Sequence, residues 1–440
     1  MAHPETLLPM PTIQDPSERF VSVVKFYLSG WHIKPPVRSQ LNPDSGVKKP
    51  LNPVLGETFT CYWDYPDNTR GYYISEQTSH HPPKSSYFYM APEHGIRIDG
   101  TLKPRSKFLG NSAASLMEGI AVLRFMNIGK TKGGERYFLT QPNMYARGIL
   151  FGKMKYELGD HSYVKCPENH FTADIEFKTK GYFGGTYNAI GGTIKNDKTG
   201  ETLFEISGMW SGEMTLKNVM TGHKEVLFDA THAKHTPPNA RPLEEQEERE
   251  SQKLWHSTCI AIKESNHHAA TDEKTKVEDM QREEAAQRQQ NGTEWQPKLF
   301  RPVHGGPGGL EEEEETLDFI LNAPIDGKTS EEKVQQILAI TPILPGQKKS
   351  QPPASNAPAQ SQPRQPPPQQ VQQQHDSLID FGDDHPPVPQ QQQQSGSPQT
   401  HSDETPPGLQ QPLEPEGNRI VRRDTNTDEV DEFVDADDTK

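Results

Sequence analysis

Between residues 58 and 229 the chain is interrupted every few residues by Gly, Pro or an Asn-Asp pair, and the stretches left between are too short for buried helices. The clearest is Phe171 to Lys178. There Phe171, Ala173, Ile175 and Phe177 alternate with Thr172, Asp174, Glu176 and Lys178, the period of a strand with one buried and one wet face. Thr58 to Tyr62, Tyr87 to Met90, Ile96 to Ile98, Val122 to Ile128, Tyr137 to Thr140, Thr202 to Ile206 and Glu225 to Asp229 read similarly. So many strands without a long helical pattern among them predict a mainly β fold, a large antiparallel meander or barrel. A closed barrel of many strands can enclose a ligand.

One helix is expected ahead of the strands. Asp15 suits an N-cap, Pro16 the first turn, and Phe20, Val23, Val24, Tyr27, Leu28 and Trp31 form a stripe that must face a core. After the strands, Leu243 to Ser265 and Ala270 to Arg288 are rich in Glu, Gln and Lys, which predicts surface helices braced on the sheet. Residues 1–305 are then one domain. Residues 306–440 are expected to be disordered, because about a third of residues 351–440 are Gln or Pro and bury too little to offset chain entropy. Two islands interrupt this tail: Thr329-Ser330-Glu331-Glu332 resembles a capping box opening a short helix through Val334, Ile337, Leu338 and Ile340, and Glu432 to Asp438 is an acidic stretch around Phe433.

Charge sharpens the division. The whole chain has 46 basic and 61 acidic side chains, a net of −15. Residues 311–440 hold 25 acids and 9 bases, whereas residues 1–310 are nearly neutral with 36 acids and 37 bases. A neutral folded part does not suit electrostatic nucleic-acid binding. No apolar run reaches the roughly 18 to 20 residues of a membrane-spanning helix, and no secretory signal is visible. Cys61, Cys166 and Cys259 are too scattered for a disulfide framework or a zinc cluster, which fits a cytoplasmic chain without metal or cofactor.

Three stretches carry candidate chemistry. In Glu76-Gln77-Thr78-Ser79-His80-His81-Pro82-Pro83 the prolines restrict two adjacent imidazoles, which can donate hydrogen bonds to phosphate oxygens. Lys48-Lys49-Pro50-Leu51-Asn52-Pro53-Val54-Leu55-Gly56-Glu57 is a rigid turn entering a strand, able to aim Lys49 and Asn52 at one point. Lys274, Glu278 and Arg282 recur at i, i+4 and i+8 on one helix face, with Glu278 between two cations. Alone, each also reads as a polar loop, a basic turn and a solvated stripe. No nucleophile with an assembled base is evident, so no enzymatic activity is expected.

The first stretch is similar to the signature of the oxysterol-binding protein family, with Thr78 where the family usually has Val. Lys49 to Glu57 resembles that family's strand-entry motif, and Lys274, Glu278 and Arg282 fall where its C-terminal Lys, Glu and Arg occur. The resemblance spans about residues 1–303. It implies a β-barrel enclosing a lipid tunnel under an N-terminal lid, with Lys49, Asn52, His80, His81, Lys274 and Arg282 on the phosphate of phosphatidylinositol 4-phosphate and Glu278 orienting the two cations. Phe20 to His32, Lys103 to Ser112 and Gln141 to Leu150 look most like the phosphatidylserine-transferring branch, in which Ser106 with Lys49 and Asn52 would serve the phosphoserine headgroup. The implied activity is intracellular exchange of phosphatidylserine against phosphatidylinositol 4-phosphate between membranes. A sterol cargo, or a lipid-dependent sensor or scaffold, is the alternative. By the same resemblance the chain is expected to begin after the lid. Residues 432–438 are similar to the acidic two-phenylalanine motif that VAP proteins of the endoplasmic reticulum bind. Glu432, Phe433, Asp435 and Ala436 would make that contact, placing the protein at membrane contact sites, although Val434 replaces the second aromatic.

Overall fold

A computed structural model describes residues 1–32, 51–129, 133–150, 155–181, 184–303 and 317–348. Among these the central feature is a 15-stranded antiparallel sheet. Its first strands are β1 (Thr58–Asp64), β2 (Arg70–Ser79), β3 (Lys84–Ala91), β4 (Ile96–Leu102), β5 (Pro104–Phe108), β6 (Ser112–Met117), β7 (Ile120–Phe125) and β8 (Glu135–Leu139). It continues with β9 (Asn143–Arg147), β10 (Lys155–Cys166), β11 (Phe171–Lys178), β12 (Ala189–Asn196), β13 (Thr202–Met209), β14 (Glu213–Asn218) and β15 (Lys224–Asp229). The main path runs β1-β2-β3-β4-β7-β8-β10-β11-β12-β13-β14-β15, while β5, β6 and β9 form a wing attached to β10.

The path cannot be flat. At about 4.8 Å per strand, twelve strands would span roughly 50 Å. Yet Trp63 of β1 and Leu227 of β15 belong to one continuous apolar core with Phe125, Ile175 and Met214. The sheet therefore curls, as the expected barrel does, without a ladder between β1 and β15. The free edge of β1 is instead met by the chain that follows β15. Tyr62 and Asn239 exchange backbone hydrogen bonds of 2.9 and 2.7 Å, Thr58 N–H donates to Arg249 O, and the Trp63 indole donates to Thr236 O.

The helix α1 (Pro16–Ser29) packs on the inner face. Asp15 caps it, accepting from Ser17 and Glu18 N–H at 2.8 and 2.9 Å, and Phe20, Val23, Val24 and Leu28 are fully buried. Phe20 lies against Tyr137 and Phe171, and the Tyr27 hydroxyl donates to Ser162 of β10. Arg19, also buried, makes two 2.7 Å bonds to Glu135 of β8. Two points of anchoring thus fix one helix across three strands.

A second core lies on the other face of β2 and β3. Tyr72, Ile74, Phe88 and Met90 pack against Phe300, Leu321, Ile325, Ile337 and Ile343. These belong to β16 (Phe300–Pro302), β17 (Phe319–Leu321), α5 (Ser330–Ile340) and their flanks. The expectation of disorder from residue 306 onward is corrected here, since residues 317–348 are folded. The tail's average composition hides apolar positions that are sparse along the chain but converge on one patch of sheet. The capping box forms as expected: Thr329 Oγ1 accepts from Glu332 N–H, and the Glu332 carboxylate accepts from Thr329 N–H.

Candidate functional site

The helices between β15 and β16 are α2 (Ser251–Leu254), α3 (His256–Lys263) and α4 (His267–Gln290). Asn266 caps α4, its side chain accepting from Ala269 N–H. The face of α4 turned toward the protein carries Ala270, Lys274, Val277, Glu278, Gln281 and Glu284, four polar residues among six. A stripe so polar cannot be held by apolar burial. It is held by hydrogen bonds to the turn before β1 and to the loop after β2.

That turn, Leu51 to Glu57, is fixed from several sides. Gly56 has φ of +76°, and a Cβ there would lie 2.5 Å from the Trp295 ring, so a side chain is excluded twice. Gly56 N–H donates to Gln77 O and Gln77 N–H to Glu57 O, tying the turn to β2. The buried Glu57 carboxylate accepts from Val54 N–H, the Ser251 hydroxyl and the Trp255 indole. Leu55 is gripped at both ends, its N–H donating to Gln281 Oε1 at 2.6 Å and its carbonyl accepting from Arg249 at 2.9 Å. Arg249 in turn pairs with Glu284 of α4.

The loop after β2 meets the same helix. His80 Nε2 lies 2.8 Å from Gln281 Nε2, and the His80 and His81 rings face each other edge-on at 4.5 Å. Burial, with the neighbouring His81 second, holds the His80 pKa below its ordinary value, which favours the neutral ring. Its Nδ1 is buried without a hydrogen-bond partner among the described residues. His81 is exposed, and the peptide bond to Pro82 is cis. Glu76, Gln77 and Thr78, read from the sequence as part of a loop motif, instead end β2 with inward or cross-strand roles. The buried Glu76 carboxylate accepts from Lys298 and Leu299 N–H at 2.8 and 2.7 Å, which anchors the approach to β16. Burial still outweighs those bonds and holds its pKa above the usual carboxylate value.

The structure brings several expected residues together and leaves others apart. Glu278 lies between its cations, 3.3 Å from Lys274 and 3.8 Å from Arg282, as the spacing predicts. Lys274 is buried, whereas Arg282 is largely exposed and also pairs with Asp279. Asn52 is exposed at the start of the turn, three residues before Leu55. Ser106 lies on β5 opposite Ser115, in register through Met144 with Leu158, which packs against the inner core. It therefore shares the inward-facing side of the wing with the half-exposed Phe108 and Met144, and no hydrogen bond joins it to His80 or α4. Lys49 and the motif residues Glu432, Phe433, Asp435 and Ala436 lie outside the described residues.

Gln281 was not singled out in the sequence, although it joins two of the three motifs. The signal was present. Gln281 is seven residues from Lys274, almost directly above it on a helix, while Arg282 is rotated off the stripe.

Fold and cluster define a class: a wrapped antiparallel sheet with imidazoles, an amide and a buried cation gathered where a polar helix crosses its entry turn. Comparison with known proteins gives the family. The profile of the oxysterol-binding protein family matches residues 1–263, and the chain belongs to that family. It is 49% identical over 347 residues to an oxysterol-binding protein-like protein, OBPalpha, of Candida albicans, covering 78% of this chain and 77% of the relative. Oxysterol-binding protein homolog 6 of Saccharomyces cerevisiae is 50% identical over 350 residues, covering 78% of this chain and 73% of that protein. Among solved structures, the Osh1 ORD domain in complex with ergosterol aligns with a TM-score of 0.55 at 21% identity, covering 76% of this chain and 79% of that one. The Osh3 ORD of Saccharomyces cerevisiae in complex with PI(4)P aligns with a TM-score of 0.51 at 23% identity, covering 76% and 82%.

Proposed function

We propose that this chain is a lipid-transfer protein that exchanges phosphatidylserine for phosphatidylinositol 4-phosphate between membranes, without breaking a covalent bond. The observation that carries the reading is the contact of Gln281 with both His80 and Leu55, which draws three stretches far apart in sequence to one point. Around it stand Lys274, Glu278 and Arg282, with His81 and Asn52 on the exposed side. Lys49 completes this set by the motif it shares with the family. Charge-assisted bonds are about twice as strong as neutral ones, so a phosphate monoester gains most from such a group. PI(4)P is the ligand in the Osh3 complex, which supports the phosphoinositide half of the proposal.

For the second cargo, Ser106 stands on the inward side of the wing beside Phe108 and Met144, a hydroxyl next to apolar surface suited to acyl chains. Two lipids sharing one headgroup site exclude each other, so a phosphoinositide gradient can drive serine lipid uphill. A sterol is the second reading, favoured by the ergosterol complex of Osh1. The terminal motif, through Glu432, Phe433, Asp435 and Ala436, would recruit a VAP-type receptor and place exchange at contacts with the endoplasmic reticulum.

The test mixes donor vesicles carrying labelled phosphatidylinositol 4-phosphate with acceptors carrying labelled phosphatidylserine or a fluorescent sterol. Coupled movement of phosphoinositide and serine lipid is expected, with loss of phosphoinositide extraction when His80 and His81 are both changed to Ala. Failure to move either phospholipid, or full extraction by the double variant, sinks the proposal. Sterol movement in place of serine lipid selects the second reading.

A further inference from the structure

The amide of Gln281 can be oriented without ambiguity. A backbone N–H only donates, so the Gln281 atom 2.6 Å from Leu55 N must be the carbonyl oxygen. The other arm, 2.8 Å from His80 Nε2, is therefore the NH₂ group, which only donates. His80 Nε2 must then present a lone pair, and the ring proton sits on Nδ1. That nitrogen is buried and has no hydrogen-bond partner among the described residues.

From this chain of donors and acceptors we propose that Gln281 is a positioning residue for the headgroup site: it fixes His80 as the neutral tautomer protonated on Nδ1, and Nδ1–H is the donor offered to a phosphate oxygen. The inference rests on the lipid-exchange reading above and adds to it a defined atom and a residue that need not touch the ligand. The arrangement has a physical advantage. A neutral imidazole already turned the right way donates without acquiring a proton or changing its tautomer when the anion arrives. Because Leu55 N–H belongs to the turn that carries Asn52, the same amide also couples the His80 ring to that turn, so both motifs are held in one register.

The experiment uses the full chain, wild type and two variants, and two readouts. Nitrogen NMR of ligand-free protein, with the His80 signals assigned by their loss in His80→Ala, reports which ring nitrogen carries the proton. Wild type is expected to show a single tautomer with Nδ1 protonated. Gln281→Leu, a good helix former at a half-buried position, is expected to give mixed tautomers. Gln281→Glu keeps an acceptor for Leu55 N–H but presents His80 with a second acceptor, which should draw a proton onto Nε2. Extraction of phosphatidylinositol 4-phosphate from phosphatidylcholine vesicles should fall about 5- to 30-fold in Gln281→Leu, the size of one or two lost hydrogen bonds. Protonation on Nε2 in wild type, or an unchanged Nδ1 tautomer in both variants, overturns the proposal. So does wild-type extraction by Gln281→Leu where His80→Ala is impaired. If His80→Ala and the double histidine variant both extract normally, the headgroup reading itself falls, whatever the tautomer.

Discussion

The helices α1 and α4 are two solutions to docking a helix on the same sheet. The inward stripe of α1 is apolar, with Phe20, Val23, Val24 and Leu28 fully buried and an ion pair, Arg19 with Glu135, set among them. The inward stripe of α4 is polar, and the only residues it buries are Ala270 and Lys274. The first is attached by removal of hydrocarbon from water, which is strong and tolerant of small shifts. The second is attached by directional bonds from Gln281 and Glu284, which are weak in sum but fix atoms to one geometry. Stability and site geometry are therefore divided between two helices, and variants should separate them.

The largest expected effect tests the first helix. Phe20→Ala removes a ring packed between Tyr137 and Phe171 and should destabilise the fold by about 3 to 5 kcal/mol, measured by urea unfolding. A loss below about 1 kcal/mol would mean that α1 is not the clamp described here.

The ion pair comes next. Burial alone would raise the pKa of Glu135, but bonds from Arg19, Tyr137 and Asn169 overcome it and hold the carboxyl below its ordinary value. A group with a depressed folded pKa contributes stability that is complete above the ordinary carboxylate range and is lost as pH falls through the folded value. Glu135→Gln leaves Arg19 without its charge partner, so the folded state should lose up to about 3 kcal/mol at neutral pH and less in acid. The two unfolding curves should converge as pH is lowered; parallel curves would place the acid sensitivity elsewhere.

Smaller effects sharpen the contrast. Thr329→Ala removes the α5 cap and should cost about 1 kcal/mol without altering lipid extraction, since α5 packs on the face of β2 and β3 away from the inner core. Lys274→Met keeps the side-chain stem and should change stability by less than about 1 kcal/mol while abolishing phosphoinositide loading. Loss of fold in that variant would show that α4 carries structure as well as chemistry.

The same contrast explains what could be read from the sequence. The helix α1 and the strand β11 were legible because burial there is apolar and periodic, and β11 matches its expected bounds. The strand β10 escaped because Asp160, at φ of +68°, breaks the alternation midway. The wing strands β5, β6 and β9 are built largely from Ser, Ala and Arg, which carry no strong period. The helix α5 was legible from its capping box, whereas the docking of residues 317–348 on the sheet was hidden by a regional average. The candidate cluster was legible where residue type advertises chemistry, as in His80, His81, Lys274 and Arg282. Gln281 and Glu76 were not, because amides and carboxylates are common and their importance lies in which backbone N–H they meet.

The segment that follows β15 has a consequence beyond holding the sheet's curvature. An unpaired strand edge invites pairing with another chain. Here Asn239 and Arg249 occupy donors and acceptors of β1 that would otherwise face outward, and Thr236 N–H is itself bonded to Ala2 O. With a few isolated bonds in place of a continuous ladder, this seam should be the line along which amide protons exchange earliest, and the natural hinge if the interior widens to admit a guest.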